Sequence, residues 1–139
     1  MDDRVVALAR EWLGTPYLHQ GSLKEGGADC LGLIRGIWRA LYGAEPETLP
    51  AYMPDWGEIG REEILWRAAA RHLLPVSRGE AWRPGQVLLF RMRRGAIAKH
   101  LGILSGEAWF IHAYQGHGVI ESPLSAPWRE KVVARFRFP

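Results

Sequence analysis

Apolar residues recur at spacings of three and four through the first half of the chain. Val5, Leu8, Ala9, Trp12 and Leu13 form one such face, which predicts a helix over residues 2–13 ended by Gly14. Leu31, Ile34, Trp38 and Leu41 form a second, predicting a helix from Cys30 to about Tyr42, where Gly43 stops it. Asp29 stands where an N-cap is wanted. A third helix is expected from about Glu58 to Leu74, through Ile59, Leu65, Trp66 and an alanine run, with Pro75 after it. Between the first two helices, Thr15–Ser22 reads as irregular and Gly26-Gly27 as a tight turn. Pro46, Pro50 and Pro54 make residues 43–57 a loop.

The second half changes period. Gln86–Met92 is a short apolar run introduced by Pro84-Gly85, consistent with a buried strand. Lys99–Leu104, Ala108–Ala113, Gly118–Glu121 and Val132–Phe138 follow as further strand candidates. The last alternates apolar and basic residues, as an edge or half-exposed strand does. Helices first and strands later predict an α+β domain with an antiparallel sheet. The 139 residues show no repeats or linkers and fit one domain, 1–139.

Composition changes this picture in few places. A formal charge of +3 favours anionic partners such as nucleic acid or a cell wall, but a solvated basic surface explains it as well. No stripe of Lys and Arg with interleaved aromatics is present, so no nucleic-acid partner is expected. Arg91, Arg93 and Arg94 are the densest cluster, read as a solvated turn or as a contact for anionic wall polymers. The single cysteine excludes an intrachain disulfide. Met1–Val6 lacks an apolar signal core and no run approaches ~18 apolar residues. We therefore expect no signal peptide, synthesis in the cytoplasm and no membrane insertion.

Candidate chemistry begins at Cys30. In the first turn of a helix, the partial positive charge of the N-terminus favours a thiolate; a buried, inert thiol is the plain alternative. A base is needed elsewhere. His100 and His112 flank Ser105-Gly106-Glu107, a three-residue hairpin turn. If the hairpin folds symmetrically about Gly106, His100 lies opposite His112 on one face of the sheet. Cys30, His100 and His112 then suit a nucleophile, a base and an orienter that fixes the base's tautomer. Two strand histidines bonded to backbone are the structural alternative. Zinc held by one Cys and two His is a competing chemistry, but CxxC, HxH and HExxH spacings are missing. No metal or other cofactor is expected.

Four pieces of the chain, in order, resemble the NlpC-like cysteine peptidases of bacterial cell-wall turnover. They are Gly14-Thr15-Pro16-Tyr17, Asp29-Cys30-Leu31-Gly32-Leu33, Arg83–Phe90 with its Pro-Gly pair, and Lys99–Ile103 followed by Ile111-His112-Ala113. The resemblance implies a papain-like α+β fold, with the nucleophile helix packed on a C-terminal antiparallel sheet that carries both histidines. It implies hydrolysis of peptide bonds in the peptidoglycan stem, often the link from γ-D-glutamate to the diamino acid. It also places Tyr17 beside the oxyanion and Asp29 among the substrate contacts. Leu31 departs from the family's usual serine, Gln20 from the start of its Gly-Gly pair, and Gln86 from an aspartate. A serine at position 31 would help Asp29 bind a free L-alanine amine, and leucine cannot. The Asp-Cys-Leu-Gly-Leu-Ile form most resembles the subgroup encoded with tail proteins of phages and gene transfer agents. That implies tail proteins as partners and local wall opening by a phage-like particle. A non-catalytic wall-binding or tail-tip module of the same fold, and an acyltransferase or amidase using the same thiol, remain open at this point.

Overall fold

The computed structural model describes residues 1–47 and 62–139. The fold is α+β. Helix α1 (Asp2–Arg10) precedes a two-stranded ribbon of β1 (Ser22–Leu23) and β2 (Gly27–Ala28). Helix α2 (Cys30–Tyr42) follows, then α3 (Ile64–His72) and β3 (Leu74–Val76). Strands β4 (Val87–Phe90), β5 (His100–Gly106), β6 (Trp109–Tyr114) and β7 (Gly118–Pro123) come next, with α4 (Ala126–Glu130) and β8 (Val132–Arg137) closing the chain. The main sheet has the order β3-β8-β4-β5-β6-β7, and all of its pairings are antiparallel. Among the described residues, no helix is long and apolar enough to cross a membrane.

Strand alternation gives the sheet two apolar faces. One face presents Val87, Leu89, Leu101, Ile103 and Ile111 to α1 and α2, whose Val5, Ala9, Leu33 and Ile37 complete the larger core. Leu88, Phe90, Leu104 and Phe110 point the other way and gather Leu124, with Trp82 and Trp128 packed against them. Residues of one strand that differ by two share a face. His100 therefore sides with Leu104, and His112 with Phe110.

Helix α2 starts as its sequence dictates. The Asp29 Oδ1 accepts from the Gly32 N–H at 2.7 Å as an N-cap, and Oδ2 accepts from the Gln20 N–H at 2.7 Å. Gln20 takes φ +64°, a left-handed angle that glycine adopts more easily. Two close approaches fix how the helix sits. A Cβ on Gly32 would lie 1.7 Å from the Gly21 carbonyl oxygen, and one on Gly36 2.0 Å from the Trp12 ring.

Several sequence expectations need correction. The first helix ends at Arg10, with Trp12 and Thr15 continuing in turns. Residues 15–28 are more ordered than irregular: Ala28 N–H donates to the Pro16 carbonyl, Leu18 N–H to the Ala28 carbonyl, and β1 pairs with β2. The third helix stops at His72, and Leu74-Pro75 joins β3 instead. Its expected start at Glu58 lies outside the described residues, as does residues 48–57 of the proline loop. Strand β8 is not at an edge: it pairs with β3 on one side and β4 on the other. Its Arg135 is buried, because the guanidinium donates to the carbonyls of Ser77, Arg78, Glu80 and Ala81 and to Gln86 Oε1. Buried guanidinium needs such partners, and alternation alone cannot show them.

Gly32→Ala forces either α2 or the 18–22 segment to move. We expect a loss of about 1–3 kcal/mol or more in urea denaturation, together with a change in Cys30 reactivity. An unchanged midpoint would show that the helix start is not held as tightly as the contact distance requires.

Candidate active site

Three segments converge where β5 begins. Gly14–Tyr17 is stitched to β7 by Gly14 N–H to the Val119 carbonyl (3.0 Å) and Val119 N–H to the Thr15 carbonyl (2.8 Å), and to β2 through Pro16. This carries Tyr17 to the start of α2. There its phenol lies within electrostatic reach of Cys30 and Asp29. The Cys30 thiol donates to the Lys99 carbonyl at 3.4 Å and also senses the Leu101 N–H. The sulfur thus lies against the backbone on both sides of His100.

The two histidines are joined. His100 Nε2 lies 2.7 Å from His112 Nδ1, and His112 Nε2 lies 2.9 Å from Ser122 Oγ. His100 Nδ1 has no hydrogen-bond partner among the described residues, and no buried side-chain nitrogen or oxygen there is left unpaired. That nitrogen is therefore not completely enclosed, although the residue as a whole is buried. If Nδ1 is to accept a proton, Nε2 must carry the hydrogen and donate it to His112 Nδ1. His112 is then the Nε2–H tautomer and donates to Ser122. The order of contacts sets a single tautomer along the row.

The expected face is observed, but the register is not. Ile103 pairs with Ile111 and Leu104 with Phe110, with a bulge before Gly106–Trp109. Extending this ladder sets Gly102, not His100, opposite His112. A Cβ at Gly102 would lie 3.4 Å from the His112 Cβ. The histidines meet on the diagonal, across a position with no side chain. A shift of two residues preserves the face, which is why the pairing survives the error.

Sequence reasoning missed what surrounds the pair. Trp128 of α4 lies with ring centroids 5.9 Å from His100 and 5.2 Å from His112. Tyr114 stacks on His112 at 5.2 Å, and Phe90 lies 5.5 Å from His100. Ser122, at the end of β7, carried no motif. The only signal for it is its even spacing from Gly118 and Ile120, which places it on one face of that strand. Asp29 is buried and engaged with backbone N–H groups, with His19 Nδ1 3.9 Å from its Oδ2. Among the described residues, no group of three or more His, Cys, Asp or Glu is placed to hold a metal.

Burial dominates the electrostatics. It pushes the Cys30 thiol up to about 12, with the Asp29 charge adding and nearby backbone N–H groups opposing. This reverses the expectation of an easily ionised thiol: the helix end is outweighed by enclosure against the sheet. Burial lowers His100 to about 4 and His112 to about 3, the neighbouring histidines adding to the latter. Tyr17 is raised to about 12, first by burial and then by Cys30 and Asp29. At neutral pH the resting site therefore holds a thiol, a phenol and two neutral imidazoles.

This arrangement gives a pH signature. The unfolded chain protonates its histidines near 6.5, while the folded chain resists until about 4 and 3. Stability from this source is complete above pH 6.5 and is lost as pH falls toward those values. Between pH 6.5 and 4.5 we expect a loss on the order of a few kcal/mol by urea denaturation. The slope should flatten in His100→Asn. An equal slope in both proteins would mean that His100 is not held neutral by the fold.

The NlpC/P60 family profile matches residues 14–137. Escherichia coli (strain K12) murein DD-endopeptidase MepS/murein LD-carboxypeptidase is 31% identical over 92% of this chain, which spans 57% of that relative's length. Bacillus subtilis gamma-DL-glutamyl hydrolase is 29% identical over 99% of this chain and 29% of its own. Among solved structures, the NlpC/p60 domain of the peptidoglycan hydrolase SagA superposes with a TM-score of 0.65 at 22% identity, covering 99% of both chains. An NlpC/P60 protein from Bacillus cereus superposes with a TM-score of 0.71 at 20% identity, over 99% of this chain and 40% of that one. The convergence of cysteine and histidines at the start of β5, the matching profile and the shared fold together make this chain a member of the NlpC/P60 family.

Proposed function

We propose that the protein is a cysteine peptidase that hydrolyses stem-peptide bonds of peptidoglycan, with Cys30 as nucleophile, His100 as base and His112 as orienter. The observation that carries this reading is the row from His100 to His112 to Ser122, with the Cys30 thiol held against the backbone on either side of His100. Because both partners are neutral at rest, proton transfer accompanies attack. The thiol leaves the Lys99 carbonyl and gives its proton to His100 Nδ1 as sulfur bonds the scissile carbonyl carbon. The carbonyl electron pair moves to oxygen. The imidazolium is stabilised through His112, and it returns the proton to the departing amine as the C–N bond breaks. Water, deprotonated by His100, then hydrolyses the thioester.

The Cys30 N–H and the Tyr17 hydroxyl serve the developing oxyanion. A phenol raised to about 12 keeps its proton and remains a donor. Asp29 acts as a positioning residue, since its carboxylate spans the helix start and the Gln20 segment. Leu31 supports a substrate without a required free amine: it lines an apolar hollow with Ile34, Trp38, Leu65 and Leu101. The same reading includes carriage by a phage- or gene-transfer-agent-like tail that opens the wall locally. The Asp-Cys-Leu-Gly-Leu form supports that part.

Mass spectrometry of purified peptidoglycan incubated with wild type and with Cys30→Ala tests the reading. New stem fragments are expected from wild type alone and identify the bond. Fragments from Cys30→Ala would overturn the mechanism, and none from either would favour a binding module. Tyr17→Phe should lower kcat by roughly a hundredfold with little change in KM, as loss of one oxyanion donor does. Ser122→Ala should cost on the order of tenfold in kcat and move the acid limb of the pH–rate profile. An unaltered profile would remove Ser122 from the row.

A further inference from the structure

A groove on the β4–β8 side of the sheet has no part in the chemistry above. One stretch is lined by Trp66, Trp82, Arg78, Arg91 and Arg135. It continues past Arg91 and Val133 to Arg94 and Lys131. Its charge is one-sided. Arg78, Arg94 and Arg129 are exposed. The Arg129 and Arg135 guanidiniums lie over the Trp82 ring at 4.0 and 4.6 Å, and that of Arg91 lies 5.9 Å from Trp66. All five acceptors of Arg135 are uncharged carbonyl groups, so those bonds do not cancel its charge. The nearby acids are Glu63, paired with Arg91 at 3.1 Å, Glu130 at the groove's far end, and Glu80, whose carboxylate acts on Arg135 and lies 3.9 Å from Arg137; the arginines and Lys131 outnumber them. Stacking on Trp82 holds the Arg129 guanidinium flat and leaves its N–H edge for an anion, whereas the N–H groups of Arg135 and Arg91 are taken by carbonyls and Glu63 and these two contribute charge alone.

The groove also begins beside the site. Phe90 pairs with His100 on one side and with Val132 on the other. Two strand spacings set Val132 about 10 Å from His100. Arg91 follows Phe90 directly in the chain.

We propose that this groove binds the carboxylates of peptidoglycan stem peptides neighbouring the one being cut, holding the enzyme on its polymer. This rests on the function proposed above. A γ-linked glutamate keeps its α-carboxylate, so uncut stems present repeated negative charges along the wall. Those charges match a row of cations spaced along a groove rather than gathered in one pocket. The surface contributes to capture of the polymer and makes no contact with the reacting atoms.

The test compares Cys30→Ala with the same protein carrying Arg78→Glu, Arg94→Glu and Arg129→Glu, by co-sedimentation with intact sacculi and with sacculi whose carboxylates have been amidated. We expect salt-sensitive binding of the parent to intact sacculi, weakened roughly tenfold by the triple change, with amidated sacculi binding both proteins equally weakly. In the active background, the triple variant should cut a short soluble stem fragment at the wild-type rate. Equal sedimentation of parent and variant, or undiminished binding to amidated sacculi, would overturn the proposal. So would groove-dependent binding of an oligonucleotide stronger than that of sacculi, which would make the surface a nucleic-acid site. Groove-dependent sedimentation without any wild-type cleavage would sink the peptidase reading while leaving the groove intact.

Discussion

The Asp29 carboxylate governs the geometry of the site. Its two oxygens take N–H groups from opposite directions, Gly32 inside the helix and Gln20 before it. Bonds of backbone N–H to a buried carboxylate are among the stronger polar contacts in a protein. They oblige the start of α2 to lie against the 18–22 segment, which the missing side chain of Gly32 permits. Once that seam is closed, Cys30 and Tyr17 have fixed places, and the thiol meets β5 at its first residue. A change at this seam would be felt at the sulfur although Asp29 need touch no reacting atom.

The second governing fact is where the two halves of the machinery are buried. Cys30 packs with the core shared by α1, α2 and the sheet, and the histidine rings pack with Phe90, Phe110 and Trp128 on the opposite face. They meet only at the end of a strand. Each is surrounded by apolar groups, and each is pushed toward its neutral form. A low-dielectric site that stores no charge at rest has more to gain from hydrogen bonds aimed at charge that appears during reaction. In the mechanism proposed above, the His112–Ser122 bond and the Tyr17 hydroxyl serve that charge.

The rear of the sheet shows the same economy of charge put to a different use. Arg135 is buried among carbonyl groups, ties the 77–81 turn to β8 and presents its flat face to Trp82. Its charge reaches a groove already bounded by Arg78 and Arg91. A strand that alternates apolar and basic residues can therefore belong to the interior of a sheet, provided that the buried arginine finds carbonyls.

Much of the site was legible because it is written in local chemistry. The spacing of Leu31, Ile34, Trp38 and Leu41 sets α2, and Asp29 ahead of it sets the cap. The glycines and turn residues around Ser105 set a hairpin, and strand parity keeps His100 and His112 on one face because the register differs from the symmetric one by an even number of residues. Tertiary structure decided the rest. The register shift of two residues depends on a bulge, Ser122 comes from a third strand, and Trp128 from a short helix with no periodic signal. Whether Arg135 is exposed depends on the turn it meets 54–58 residues earlier. The direction of the thiol's ionisation was also beyond local reading. A helix terminus acts over one turn, whereas desolvation sums every group that closes around the sulfur, and only the folded chain assembles those groups.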